Sequence, residues 1–179
     1  SPQTSYGAQK ASIEILISDF SRKGFINGIS LRLPTICVRP GKPNKAASGF
    51  FSNIIREPLN GKKAYLPVDP SVRHWHASPR SAVNFLIHAV SLETFQLENR
   101  RSLNLPGVSC TVEEQIESLR SIAGQKAVDL IVPKKDLLIQ NMVKGWPKNF
   151  SPLKASQLGF KSENNFNEII NIFIEDDLN

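Results

Sequence analysis

The stretch SYGAQKASIEILISDF, residues 5–20, decides how the chain reads. Ile13, Leu16, Ile17 and Phe20 recur at the three- and four-residue spacing of an amphipathic helix, and Gly24 supplies a stop. The spacing predicts a helix over residues 5–23. Tyr6 and Lys10 stand four apart on it, so they share one face. That face continues through Ile13, Ile17 and Phe20, which predicts that the pair points toward the protein, where the first turn opens into a crevice. An ammonium beside a phenol favours the phenolate. A phenol so placed can take a proton from an alcohol or return one to a carbonyl. The same spacing also occurs in ordinary helices, as a partly buried tyrosine and a lysine whose stem lies along it. The pair alone leaves both readings open.

Outward from that helix, the chain alternates elements. ISLRL (29–33) alternates apolar and polar residues as a strand does, and three prolines and a glycine make Pro34 to Lys45 a loop. A helix over 47–56 carries Phe50, Phe51, Ile54 and Ile55, with Pro58 and Asn60-Gly61 to stop it. AYLPV (64–68) and VRHWHA (72–77) read as strands. Ser78 suits an N-cap with Pro79 at the first helical position, and Val83, Leu86, Ile87 and Val90 are the predicted buried stripe of the helix that follows. A strand at 102–105, a Thr111/Glu114 capping box opening a helix that ends at Gly124, and a strand VDLIV (128–132) come next. A helix near 135–144, a proline-containing linker and a last helix with Phe166, Ile169, Ile170 and Phe173 complete the chain. The class is α/β with a mixed second half, and the strands are few for a complete doubly wound sheet.

Composition narrows the function. The chain has 179 residues, 40% of them hydrophobic and 21% charged, as in one ordinary globular domain. No apolar run approaches the roughly 18 residues that span a bilayer. There is no charged-then-apolar leader. The formal charge is +6, but Lys and Arg are scattered with no basic stripe between aromatics. That argues against nucleic acid, and a basic surface can equally attract a carboxylate or phosphate substrate. Cys37 and Cys110 have no metal or redox spacing, which fits a reducing cytoplasm. His74 and His76 flank Trp75 on one side of a strand and could be two ligands of a zinc ion, but no partner cluster is evident, so no metal is expected. Trp75 lies on the opposite face with Arg73, as a pocket wall or simply as core.

Four segments in order resemble the extended short-chain dehydrogenase/reductase (NAD-dependent epimerase/dehydratase) family. SPQTSYGAQKASIEIL (1–16) is similar to its catalytic helix, opened by P-x-x-x-YG-x-x-K. ISLRLPTICVRPG (29–41) looks like its next strand and the loop that closes over the nicotinamide. VRHWHASPRSAVNFLIHAV (72–90) resembles its R-x-W/F strand and helix, and residues 151–174 its C-terminal segment with the Leu158-Gly159-Phe160 turn. The resemblance implies the C-terminal portion of a Rossmann-type enzyme with a small mixed α/β substrate-binding region. Residues 1–45 would end the dinucleotide-binding domain, and residues 46–179 would form mainly the substrate-binding region, with returning sheet elements.

It also implies roles. Tyr6 would be the general base and Lys10 its partner and a ribose ligand. Pro34, Thr35 and Ile36 would lie near the nicotinamide, mostly through backbone groups. Arg73 aligns with the family arginine that holds an anionic group. Arg39 is a second candidate grip on a carboxylate, and Ser48 lies at the helix that would line the substrate pocket. The expected cofactor is NAD. NADP stays open, because the acidic residue that reads the ribose would lie in the other half. The expected reaction is oxidation of the hydroxyl next to the carboxylate of a small sugar acid. The alternatives are a nucleotide-sugar epimerase or dehydratase of the same fold, and a non-catalytic binding or assembly module. Family members commonly dimerise through the helix that here starts at Ser5.

The chain departs from the family in places. Arg39-Pro40-Gly41 and Pro43-Asn44 stand where nucleotide-sugar epimerases usually have Tyr-Gly-Pro, and Pro79-Arg80 where the family often has two aspartates. There is no G-x-x-G-x-x-G phosphate loop, and no upstream serine or threonine to bond a substrate hydroxyl. The chain is therefore expected to be the later part of a longer enzyme, unable to bind NAD tightly or turn over by itself.

Overall fold

The first helix, α1 (Ser5–Arg22), starts where the Thr4 hydroxyl accepts a 3.0 Å hydrogen bond from the Gly7 N–H. The computed structural model describes residues 2, 4–43, 46–97 and 100–178. Asn44 and Lys45, part of the expected loop, lie outside the described residues. After α1 come β1 (Ser30–Arg32), β2 (Thr35–Ile36), α2 (Gly49–Leu59), β3 (Ala64–Leu66), β4 (Arg73–Ala77) and α3 (Pro79–Ser91). A 3-10 turn (Thr94–Leu97) leads to β5 (Ser102–Asn104), β6 (Val108–Thr111), α4 (Val112–Ala123), α5 (Gln125–Val128) and β7 (Ile131–Pro133). Helices α6 (Leu137–Lys144), α7 (Leu153–Gln157) and α8 (Phe166–Asp177) end the chain.

The strands form small sheets. β1 lies parallel to β5 with Leu31 opposite Leu103, and β3 parallel to β7 with Leu66 opposite Pro133. β4 is the middle strand of the third sheet. It runs parallel to β2, with Thr35 opposite His76, and antiparallel to β6, with Trp75 opposite Ser109. This register is what brings the β2 loop, the β4 side chains and the β6 edge to one place.

Two cores flank that sheet. The larger joins Phe51, Ile54 and Ile55 of α2 to Leu119 of α4 and to Ile169, Ile170 and Phe173 of α8, all sealed from solvent. The smaller gathers Phe85 and Ala89 of α3 with Leu103, Leu105, Ala155 and Phe160. Caps hold the helices as expected. Thr111 and Glu114 form the capping box of α4, and Ser78 accepts from the Ser81 N–H with Pro79 behind it.

Several expectations change. Helix α2 continues through Pro58, because a proline in the last turn forfeits a single intrahelical bond. Residues 125–128 turn as α5, with the Asp129 N–H bonding Gln125 O, so β7 begins only at Ile131. β2 forms inside the proline-rich stretch, because its neighbour β4 supplies a ladder that composition does not reveal.

The larger correction concerns α1 and α3. Val83, Leu86, Ile87 and Val90 are not buried. Ser81, Phe85 and Ala89 face inward instead. The Ser81 hydroxyl donates to Glu163 at 2.7 Å and Phe85 packs near Phe160, and these contacts set the helix's rotation. On α1, Ile13, Leu16 and Phe20 are exposed and Tyr6 is 70% exposed, whereas Ser21 is buried. The helix is anchored by polar groups. Ser21 accepts from the Gly28 N–H, and Glu14 takes Arg32 from β1 at 2.5 to 2.7 Å. That guanidinium holds the Glu14 carboxyl below its ordinary value.

Candidate active site

A cleft of about 390 Å³ lies where the start of α1 meets the β2–β4 pair. Tyr6 stands at it on the α1 side, and Lys10 Nζ lies 5.4 Å from the centre of the Tyr6 ring. The helical spacing that suggested the pair therefore does hold the two side chains together. Pro34 and Thr35 enter from the β2 end, and Ser48 from the cap of α2. His74 and Trp75 come from β4, and Trp146, Pro147 and Phe150 from the linker after α6.

The walls are aromatic and ordered by packing. The His74 ring stacks on Phe51, centres 5.0 Å apart and planes 7° apart, and tilts against Trp146 at 5.4 Å. Trp75 packs on Phe150 at 4.7 Å. Gly107, between β5 and β6, is wedged here. A Cβ on it would come within 2.5 Å of Trp75 Nε1, 2.7 Å of His76 O and 2.9 Å of Pro34. Only a residue without a side chain lets that link pass beneath the indole.

The polar groups are few. Thr35 Oγ1 and His74 Nε2 are 2.6 Å apart. Burial pushes the His74 imidazole down to about 4, opposed in part by a hydrogen bond to the Pro147 backbone. His76 is fully buried, 2.7 Å from Gln115 Nε2, and burial holds it well below the ordinary histidine value, with His74 adding to the effect. Cys37 and Cys110 are both raised to about 12 by burial, so neither is a nucleophile at neutral pH. Among the described residues, no group of three or more His, Cys, Asp or Glu side chains converges as a metal site.

Tyr6, Pro34, Thr35 and Ser48 thus meet at one cleft, with Lys10 over the tyrosine. Arg39 adjoins it, its guanidinium donating to Ser48 Oγ at 3.3 Å. Two other residues turn away. Ile36 packs against the smaller core, and Arg73 donates to Ser109 O at 2.9 Å and pairs with Glu114 at 3.1 Å. Asn53 and Arg56, both on α2, bond each other, and Arg56 reaches Arg39 O and Glu57, a structural network. Sequence reasoning did not single out Trp146, Pro147 or Phe150. They lie in an irregular linker, where no periodicity marks a residue as facing a cleft, and a Trp-Pro pair after a glycine was the one available signal. Arg80 of the Ser78-Pro79-Arg80 turn pairs with Glu175 and Asp176 of α8, which ties α3 to α8 at the surface.

No family model matches the chain. Two proteins named D-erythronate dehydrogenase, from Haemophilus influenzae and Cupriavidus necator, are 47% identical over 177 residues and 49% identical over 175. The matches take in 99% and 98% of this chain but 56% and 54% of theirs, so the chain spans about half the length of the curated relatives it matches. A solved nucleoside-diphosphate-sugar epimerase from Agrobacterium tumefaciens superposes with a TM-score of 0.97 at 58% identity, over 99% of this chain and 52% of that one. L-threonine 3-dehydrogenase from Trypanosoma brucei shares the fold at a TM-score of 0.85 and 20% identity, over 98% of this chain and 54% of that one. In fold and in order of elements the chain corresponds to the C-terminal part of an extended short-chain dehydrogenase/reductase. In sequence it is similar to D-erythronate dehydrogenase along nearly its whole length. Among the described residues no helix is long and apolar enough to cross a membrane.

Proposed function

We propose that this chain is the substrate-binding side of an NAD-dependent dehydrogenase that oxidises the hydroxyl beside the carboxylate of a small sugar acid such as D-erythronate. The observation that carries the reading is the Tyr6–Lys10 pair at a small cleft that also holds Thr35, Ser48 and His74. Residues 1–45 would complete the cofactor domain and residues 46–179 would hold the substrate.

The cleft suits the ring end of a nicotinamide nucleotide, with flat aromatic walls and a hydroxyl at Thr35 beside Tyr6. When bound, that cofactor supplies the hydride acceptor. As a phenolate Tyr6 takes the proton from the substrate hydroxyl and becomes a neutral phenol, and the Lys10 ammonium beside its ring offsets the charge the phenolate carries before that transfer. Lys10 would also hold the ribose, and Pro34 and Thr35 would border the nicotinamide. Arg39, already at Ser48, grips the carboxylate. Arg73 would do so only by exchanging Glu114 for the substrate. Proton removal by a placed side chain contributes about 10²- to 10⁴-fold in rate. In the protein that carries this chain, Tyr6→Phe should therefore lower kcat at least about 100-fold and change NAD affinity little. Full turnover by that variant would refute the mechanism.

A second reading, a nucleotide-sugar epimerase, is favoured by the name of the Agrobacterium tumefaciens structure. The two part on the substrate: a four-carbon acid against a nucleoside diphosphate sugar. Turnover assays with NAD against four-carbon sugar acids and against nucleotide sugars separate them.

A further inference from the structure

Arg39 lies in an irregular loop, yet one face of α2 holds it at three points. Ser48 at the cap, Ser52 and Arg56 stand four apart, so they form a single stripe along that helix. The Arg39 N–H donates to Ser52 Oγ at 3.0 Å, and Arg56 Nη1 donates to the Arg39 carbonyl at 2.7 Å. The Arg39 guanidinium reaches the first member of the stripe, Ser48, at 3.3 Å. Carbonyl, N–H and side-chain head of one residue are therefore laid in order along α2, with the head at the end that borders the cleft. Arg56 is only 6% exposed, and it also bonds Asn53 at 2.6 Å and Glu57 at 2.8 Å. Its charge is met by Glu57. Arg39 differs: among the described residues no carboxylate pairs with it.

We propose that Arg56 is a positioning residue that acts through Arg39: by clamping the Arg39 backbone it delivers an unpaired guanidinium to Ser48, where the cleft takes a carboxylate. A long side chain that grips a ligand loses rotamer freedom, and the loss is smaller when its backbone is already fixed. Pro40 adds to this by restricting the residue before it. A guanidinium offers two parallel N–H groups to the two oxygens of a carboxylate, whereas a carboxamide of the same shape has one oxygen and no charge. The clamp therefore governs the preference for an acid over its amide and leaves the proton transfer at Tyr6 alone. Asn53 and Glu57 hold Arg56 in turn, so the arrangement exists before any ligand arrives.

The carboxylate as the ligand of Arg39 rests on the function proposed above; the clamp does not, and the tests separate them. In the protein that carries this chain, without ligands, the Arg39 amide should be protected from hydrogen exchange. Arg56→Met should speed that exchange about tenfold, the worth of one hydrogen bond to a charged group. Unchanged exchange would overturn the clamp. In turnover, wild type should prefer D-erythronate over its carboxamide, and Arg39→Gln should cut that preference in kcat/KM at least about tenfold. Arg56→Met should cut it in the same sense and add little to Arg39→Gln in the double variant, because it acts through that residue. Ser52→Ala removes the second hold with Arg56 in place, and should lower both the protection and the preference by less. That variant decides the matter if Arg56→Met does not fold: wild-type values for both would overturn the inference. A loss equal on acid and amide, or one that adds in full to that of Arg39→Gln, would also overturn it, since Arg56 would then support the fold alone. A preference that survives Arg39→Gln would refute the carboxylate grip and the substrate half of the inference, with the exchange result left standing. Unreduced turnover by Tyr6→Phe would sink the dehydrogenase reading and leave the exchange result untouched.

Discussion

Helices α8 and α3 carry the same apolar spacing and meet opposite fates. Phe166, Ile169, Ile170 and Phe173 repeat at three, four and seven residues, and each is at most 3% exposed. Val83, Leu86, Ile87 and Val90 repeat identically and are 54% to 90% exposed. The difference is what the rest of the chain supplies. α8 lies against α4 in the larger core, whereas α3 uses a second, thinner line of Ser81, Phe85 and Ala89 to reach the smaller core. α1 resembles α3, with Ser21 buried and Ile13, Leu16 and Phe20 open. Periodicity reports that a stripe exists; it does not report what covers it.

That contrast can be broken or sharpened by measurement. The largest effect should come from the sealed side. Phe173→Ala removes a ring from the closed core and should cost about 3–5 kcal/mol of unfolding free energy in urea titration. A loss below 1 kcal/mol would mean that this core is not closed.

Acid should come next. His74 and His76 are held below the unfolded value of 6.5, His74 to about 4. Between the two values the unfolded chain binds protons that the folded chain does not. Stability is therefore full above about pH 6.5 and falls as pH drops toward 4, by roughly 1.4 kcal/mol per pH unit for each such histidine. Denaturation at pH 7 and pH 4.5 should differ by roughly 2–3 kcal/mol from His74 alone. A flat profile would show that these rings are hydrated. The carboxylates with lowered values, such as Glu14 and Asp176, add their loss only at lower pH.

Gly107→Ala tests the border between the two sides. The added methyl meets backbone as well as the Trp75 indole, so overpacking should cost about 1–3 kcal/mol and shift the fluorescence of Trp75. An unchanged spectrum would mean the link sits farther from the ring. The smallest effect belongs to the open stripe. Val90→Ser should change stability by no more than about 0.5 kcal/mol, and a larger loss would mean that α3 is covered in solution.

The elements of the candidate site were unequally legible. Tyr6 and Lys10 were readable because a helix turns four-residue spacing into neighbourhood by its own geometry. The capping box at Thr111 and Glu114 was readable for the same reason, since all its partners lie within four residues. The place of Arg73 was not. Its strand position was clear, but Glu114 and Ser109 stand far along the chain, and their grip draws it away from the cleft. Trp146 and Phe150 were hidden in a linker without a period.

Local spacing, caps and composition, all short-range along the chain, determined the α/β class, most of the helices and the Tyr6–Lys10 pair. Tertiary structure alone decided which apolar stripe found cover, that β2 pairs with β4, and that Thr35 meets His74. Those are contacts between residues about forty positions apart or more, and sequence spacing carries no information about which distant segments will be brought together to exclude water.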